Sequence, residues 1–426
     1  MESGDPVGMT LSEKILAKSS SRACVSPGEI VTCDIDLLML HEITGPLAVQ
    51  VFEEMGFKKV WRSEKIAVIF DHNIPASDVN SAEQMKAMRS FVQKQGIERF
   101  YDVGRGGIAH QILVQEGLAK PSSIVVGADS HTCTAGAVGA FAVGVGSTEA
   151  AAILGTGKMW FKVPSTVRIK VMGEVKEPIT SKDIVLEVIG RISSSGALYK
   201  AVEFSGEAIS KMSIGARMTL TNMAVEMGAK TGLIEPDEVT CKHFQSLNES
   251  IEVLTSDRDA AYERTLGLNS LEIEPKIAAP FSVDKVMDVK DLEGERIDQA
   301  LLGSCTNGRL EDLRIATRIL EGRRIHSRVR LLVNPASMKI YRQAVQEGLI
   351  EKLVDSGAAV CCPTCGPCLG MSQGVLAADE VCISTSNRNF VGRMGDRSSK
   401  VYLASPATVA ASALTGEITD PRRFWN

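Results

Sequence analysis

The chain has 426 residues, 44% hydrophobic and 23% charged, with a net charge of −5. That length exceeds what one hydrophobic core usually spans, so two or three domains are expected, and the composition excludes a disordered or fibrous protein. The acidic balance argues against a nucleic-acid partner, and no apolar run reaches the ~18 residues that would span a bilayer.

From the N-terminus, MESGDPVGMTLSEKIL is acidic and polar and lacks the basic and apolar regions of a secretion signal, so a cytoplasmic location is expected. Thr10-x-x-Glu13 has capping-box form and opens a helix over LSEKILAK. A helix at 46–55 precedes the strand KIAVIFD (65–71), which runs into Asp71, His72 and Asn73. Ser81-x-x-Gln84 predicts the start of the next helix, and Gly96 its end. GRGGIAHQ (104–111) has neither the lysine nor the spacing of a phosphate loop. His110 there begins a helix, and on its own it reads as an ordinary helix-end histidine before a functional one. Strand SSIVVGAD (122–129) leads into Asp129, Ser130 and His131. An acid beside a histidine at a strand end suits acid–base work, because the carboxylate fixes the imidazole tautomer and raises its pKa. One such motif alone reads first as a turn with an Asx hydrogen bond; two on successive strands shift the balance toward function.

Helices at 147–154, 181–192 and 216–229 flank the strand TVRIKVMG (166–173). In TNMAVEMGA, Asn222 and Glu226 are four residues apart and share a helix face that is unusually apolar for a solvated carboxylate. The stretch Glu274–Gly294 reads as a linker, and a second boundary falls near Pro164. Domains are therefore expected at 1–164 with the histidine–acid motifs, 165–285 with Asn222 and Glu226, and 286–426. Alternating strands and helices predict α/β layers with largely parallel sheets, whose sites lie beyond the carboxyl ends of strands.

In the last third, QALL precedes GSCTNGR (303–309), placing Cys305 in a small-residue turn at the end of a strand. The helix 310–321, the basic run RRIHSRVR (323–330), the strand RVRLLVNP (328–335) and the helix 338–354 follow. The basic run reads as a solvated helix end and strand edge. Strand AAVCC (358–362) enters CCPTCGPCLG, and TSNRNFVGR (385–393) supplies Asn387, Arg388 and Arg393 before a helix at 406–415. Arginines beside cysteines suit paired hydrogen bonds to carboxylates.

Ten cysteines are too few for a disulfide scaffold, and six of them lie in the last third, which favours metal or redox chemistry. CGPC at 365–368 matches a thioredoxin dithiol, but Thr364 rather than an aromatic residue precedes it and most of the domain lies upstream. A structural zinc site would need a second Cys or His pair, and Cys305 and Cys382 are single. The third reading is an iron–sulfur cluster held by Cys305, Cys365 and Cys368, which leaves one iron open for chemistry.

GADSHT, GSCTN, CGPCLG and SNRNFVGR, in this order and spacing, resemble the aconitase superfamily. HEITGPLAVQVF and the ending VYLASPATVAASALTGEITDPR are closer to its branch of separate large subunits, the 3-isopropylmalate dehydratases and homoaconitases, with residues 1–8 as an extension. The resemblance implies three α/β domains around a central cleft, without the mobile fourth (swivel) domain. It further implies a 4Fe-4S cluster on Cys305, Cys365 and Cys368, with Cys361 and Cys362 as free thiols nearby. His72 and His131 would assist hydroxyl departure, supported by Asp71, Asp129, His110 and Glu226, in the pairs His110–Asp129 and His131–Glu226. Asn222 and Asn387 would surround the cluster, Ser130 and His41 would face substrate, and Arg388 and Arg393 would hold carboxylates of a small di- or tricarboxylate. A separate small subunit would supply the missing base. The implied activity is a hydro-lyase acting on isopropylmalate in leucine biosynthesis, with homocitrate or a methylmalate as the alternative. A non-catalytic RNA-binding or redox-sensing relative is disfavoured by the intact cysteine triad.

Overall fold

The computed structural model describes residues 8–425. Three sheets carry most of the chain. In the first, five parallel strands run in the order Arg99–Tyr101, Ile66–Ile69, Leu37–Leu40, Ile124–Gly127 and Phe141–Gly144. Alternate residues of these strands feed two cores. Leu38, Leu40, Ile66, Val68 and Val126 pack with Leu16, Phe52 and Met88 on one face, while Leu37, Met39, Ala67, Ile69 and Val125 meet Leu113 and Val138 on the other. Burial on both faces is why these strands read as unbroken apolar runs rather than alternating ones.

The second sheet is parallel, in the order Thr231–Ile234, Ala201–Ser205, Thr166–Met172 and Arg264–Asn269. The third has seven strands, with Lys400–Ala404, Val381–Ser384, Gln299–Leu302, Arg330–Val333 and Ala359–Val360 parallel. The α/β architecture expected from the sequence is thus observed. Among the described residues, no helix is long and apolar enough to cross a membrane.

Several local expectations change. The stretch 274–294, read as a linker, contributes Lys276–Ala278 and Val286–Asp288 to the third sheet as antiparallel edge strands. At three residues each, they are too short to show periodicity. Ser81 does not cap its helix; Asp78 does, its carboxylate accepting from the Ser81 N–H at 2.7 Å. Gly96 ends that helix as expected, in the left-handed conformation. The helix expected over 338–354 divides at Gly348, which has φ 70°. The α-helix expected over 216–229 spans Ile214–Asn222, and Met223–Met227 continue as a tighter 3₁₀ turn. Asn222 and Glu226 therefore do not lie on one continuous α-helical face.

Candidate active site

The polar residues singled out in the sequence meet where strands end, the place that parallel sheets reserve for sites. Leu37–Leu40 delivers His41 and Glu42, Ile66–Ile69 delivers Asp71 and His72, and Ile124–Gly127 delivers Asp129, Ser130 and His131. From the third sheet, Gln299–Leu302 leads to Cys305, Ala359–Val360 to Cys365 and Cys368, and Val381–Ser384 to Asn387 and Arg388. A cavity of about 260 Å³ gathers His41, His72, His110, Asp129, Ser130 and His131 on one side. Cys305, Cys365, Cys368, Asn387, Arg388 and Arg393 line the other. Asp71, Asn222 and Glu226 stand one step behind this lining.

Each cavity histidine faces a carboxylate. His72 Nδ1 donates to Asp71 Oδ1 at 2.7 Å, and His110 Nε2 to Asp129 Oδ1 at 2.9 Å. His131 Nε2 donates to Glu226 Oε1 at 2.8 Å, and its backbone N–H to Asp129 Oδ1 at 2.7 Å. Both pairs implied by the family resemblance thus form. His41 is held more loosely, with Nε2 3.7 Å from Asp129 Oδ2. At His72 and at the carboxylates Asp71, Asp129 and Glu226 burial works against charge, yet the pairing overrides it. Burial disfavours an imidazolium at His72, but the Asp71 carboxylate lifts its pKa to about 10. Burial would raise Asp129, but His110, His131 and His41 hold it well below the usual carboxylate range. Glu226 is likewise held low, against burial, by His131 and Arg388. The carboxylates are therefore ionised acceptors that fix ring orientation.

The sequence reading missed Glu42, which is 1% exposed. Its carboxylate accepts three successive backbone N–H groups, from Asp71 at 3.1 Å, His72 at 2.7 Å and Asn73 at 2.8 Å. The only signal was its position two residues beyond an apolar strand, next to His41. Its grouping with His41, Asp71 and His72 has the composition of a cation site. Three N–H groups aimed at the Glu42 carboxylate make it an anchor for the turn rather than a ligand. Thr364 was also missed: its hydroxyl contacts the carbonyls of Asp71 at 2.6 Å and His72 at 2.9 Å. Cys365 N–H adds a bond to the Asp71 carbonyl at 2.8 Å, so the cysteine loop is stapled to the histidine turn.

The cysteine side has the chemistry of a metal centre. All ten cysteines are free thiols. Cys305 and Cys368 are buried, and burial together with the nearby Cys368 pushes the Cys305 thiol up to about 12. Burial and the Asp71 charge likewise hold the Cys365 thiol well above the ordinary thiol value. Such thiols do not ionise together unaided; a bound cation would share their charge. Sulfur-directed donors are already in place, because Asn222 Nδ2 and Asn387 Nδ2 point at Cys305 Sγ from 3.1 Å and 3.2 Å. Arg393 Nη2 lies 3.9 Å from Cys368 Sγ. The backbone is adapted as well. Ser304, just before Cys305, has φ 76°, and a side chain on Gly366, between the other two cysteines, would meet Asn334 at 2.9 Å. These residues fit a thiolate-bound cluster. Cys361 and Cys362 point elsewhere, Cys362 Sγ to the Ile74 carbonyl at 3.2 Å.

Two arginines complete the cavity. Arg388 Nε donates to Glu226 Oε1 at 2.8 Å, while the buried Arg393 Nε has no partner among the described residues.

Comparison with known proteins agrees with this geometry. The aconitase family (aconitate hydratase) matches residues 13–295 and 290–416. The 3-isopropylmalate dehydratase large subunit 1 of Methanopyrus kandleri is 52% identical over 98% of this chain and 100% of its own length. A probable 3-isopropylmalate dehydratase large subunit of Methanothermobacter thermautotrophicus is 50% identical over 97% of this chain and 99% of its own. A probable methanogen homoaconitase large subunit from the same organism is 46% identical, over 98% of both chains. With a family match and relatives of this identity both running nearly end to end, the chain belongs to the aconitase family.

Proposed function

We propose that this chain is the large catalytic subunit of a 4Fe-4S-dependent hydro-lyase that interconverts 2-isopropylmalate and 3-isopropylmalate by dehydration and rehydration, in leucine biosynthesis. The observation that carries the reading is a single cavity lined by three thiols, three histidines each paired with a carboxylate, and a guanidinium whose Nε has no partner among the described residues.

Cys305, Cys365 and Cys368 would hold the cluster. When bound, it supplies a Lewis-acidic iron that polarises the C–O bond of the substrate hydroxyl. Arg393 offers its unpartnered Nε to a substrate carboxylate, and Arg388, fixed by Glu226, presents the rest of its guanidinium beside it. His72, protonated by its pairing with Asp71, donates a proton to the departing hydroxyl, which leaves as water. His131 and His110, oriented by Glu226 and Asp129, hold that water and return it to the adjacent carbon on rehydration. Ser130 lines the cavity where the substrate sits. The relatives are named large subunits, which supports a separate small subunit that supplies the base for the carbon-bound proton. A reducing cytoplasmic setting belongs to this reading and suits ten free thiols.

A homoaconitase activity is the second reading, supported by the 46% identical relative of that name. Anaerobic reconstitution with iron and sulfide, followed by assays of 2-isopropylmalate and homocitrate with and without a small subunit, tests both. About four irons per chain are expected, lost in Cys305→Ser, with isopropylmalate turned over only when the small subunit is present. Iron retained by Cys305→Ser, or full activity of the large chain alone, sinks the reading.

A further inference from the structure

A buried lysine behind the cysteines takes no part in the steps above. Lys182 lies in the first turn of the Ser181–Ile192 helix and is 0% exposed. Its Nζ donates to the backbone carbonyls of Thr385 at 2.9 Å and Ser386 at 2.5 Å. Among the described residues no carboxylate pairs with it. Asp183, next to it, accepts from the Thr180 and Lys276 N–H groups, and Asp312 from Asn307 and the Arg309 N–H. A buried ammonium is ordinarily matched by an anion, because taking it out of water costs several kcal/mol. Burial accordingly pulls Lys182 down to about 7, and thiolates at Cys305 and Cys368 would oppose that pull.

Its two hydrogen bonds also have a consequence for the site. Thr385 and Ser386 directly precede Asn387, whose amide donates to Cys305 Sγ at 3.2 Å. Thr385 Oγ1 accepts the N–H of Gly303, two residues before Cys305, at 2.9 Å. Lys182 thus braces the junction of the Asn387 turn and the Cys305 turn without lining the cavity.

We propose that Lys182 is a positioning residue and the internal counter-charge of the cysteine centre. It fixes the backbone from which Asn387 and Arg388 reach the cavity, and its ammonium offsets the negative charge that thiolate ligands carry when they bind metal. A carboxylate bonded to it would compete for that ammonium; the carbonyls of Thr385 and Ser386 hold it in place and leave its charge to the thiolates. This rests on reading Cys305, Cys365 and Cys368 as ligands.

The test compares the wild-type chain, Lys182→Met and Lys182→Arg after anaerobic reconstitution, measuring iron content and the one-electron reduction potential of the centre. Wild type and Lys182→Arg are expected to agree. Lys182→Met is expected to reduce at least about tenfold less favourably, a potential lower by about 59 mV, or to lose iron that Lys182→Arg keeps. An unchanged potential in Lys182→Met, or equal losses in both variants, overturns the proposal. Failure of the wild type to take up iron overturns the reading of the cysteines beneath it, and needs no variant to be seen.

Discussion

Arg388 Nε and His131 Nε2 converge on the same oxygen of Glu226, each at 2.8 Å. One carboxylate therefore sets the direction of both the imidazole proposed for acid–base work and the guanidinium proposed to bind a substrate carboxylate. Glu226→Gln removes the charge that holds both. It is expected to lower kcat/KM by ~10²–10⁴-fold, with kcat and KM both affected, in steady-state assays of the loaded enzyme with its small subunit.

Glu42 should matter first to stability. Replacing it with alanine leaves three buried N–H groups without an acceptor, at ~1–3 kcal/mol each. Urea unfolding of Glu42→Ala is expected to show a loss of at least ~3 kcal/mol with an unchanged slope, and Glu42→Gln a smaller one.

The pairing of His72 with Asp71 makes the cluster-free chain sensitive to alkali. The folded pKa of His72, about 10, lies above the ordinary histidine value of 6.5, so the folded state holds a proton that the unfolded state has released in between. That stabilisation is complete below the lower value and vanishes as pH rises through the upper one. Denaturation of the metal-free protein at several pH values across this window should show the wild type losing stability relative to His72→Gln as pH increases.

Arg393 carries a buried Nε without a partner among the described residues. Arg393→Ala is expected to raise KM by ~10–100-fold, the worth of a hydrogen bond to a charged group. Arg393→Lys should recover only part of this, because the planar fork is lost. Initial-rate kinetics over a range of substrate concentrations separate the two.

Cys361 and Cys362 stand outside the proposed ligand set. Cys362 Sγ lies 3.2 Å from the Ile74 carbonyl and 3.0 Å from Gln373 Nε2, facing away from the cavity. Cys361→Ser and Cys362→Ser are expected to take up as much iron as the wild type on reconstitution; a loss comparable to that of Cys365→Ser would redraw the ligand set.

The sequence made the strand ends visible because both faces of the central strands are apolar and the polar residues begin abruptly at Asp71 and Asp129. It made Cys365 and Cys368 visible because their spacing is local. What escaped it depends on contacts across the chain. Glu226 and Arg388 are 162 residues apart, and no local pattern joins them. Glu42 serves backbone groups 29 to 31 residues away, and backbone leaves no trace in composition. Lys182 sits in a helix's first turn, where a lysine ordinarily reads as solvated. The tightening of the helix after Asn222 escaped as well, since MAVEM has ordinary helix formers.

The staple between the cysteine loop and the histidine turn also bears on maturation. Thr364 and Cys365 are hydrogen-bonded to Asp71 and His72, nearly three hundred residues earlier in the chain. The two halves of the site therefore come into register only after the first and third sheets have closed on each other. A nascent or partly folded chain has the thiols but not the pocket, so uptake of the proposed cluster would report on completed folding.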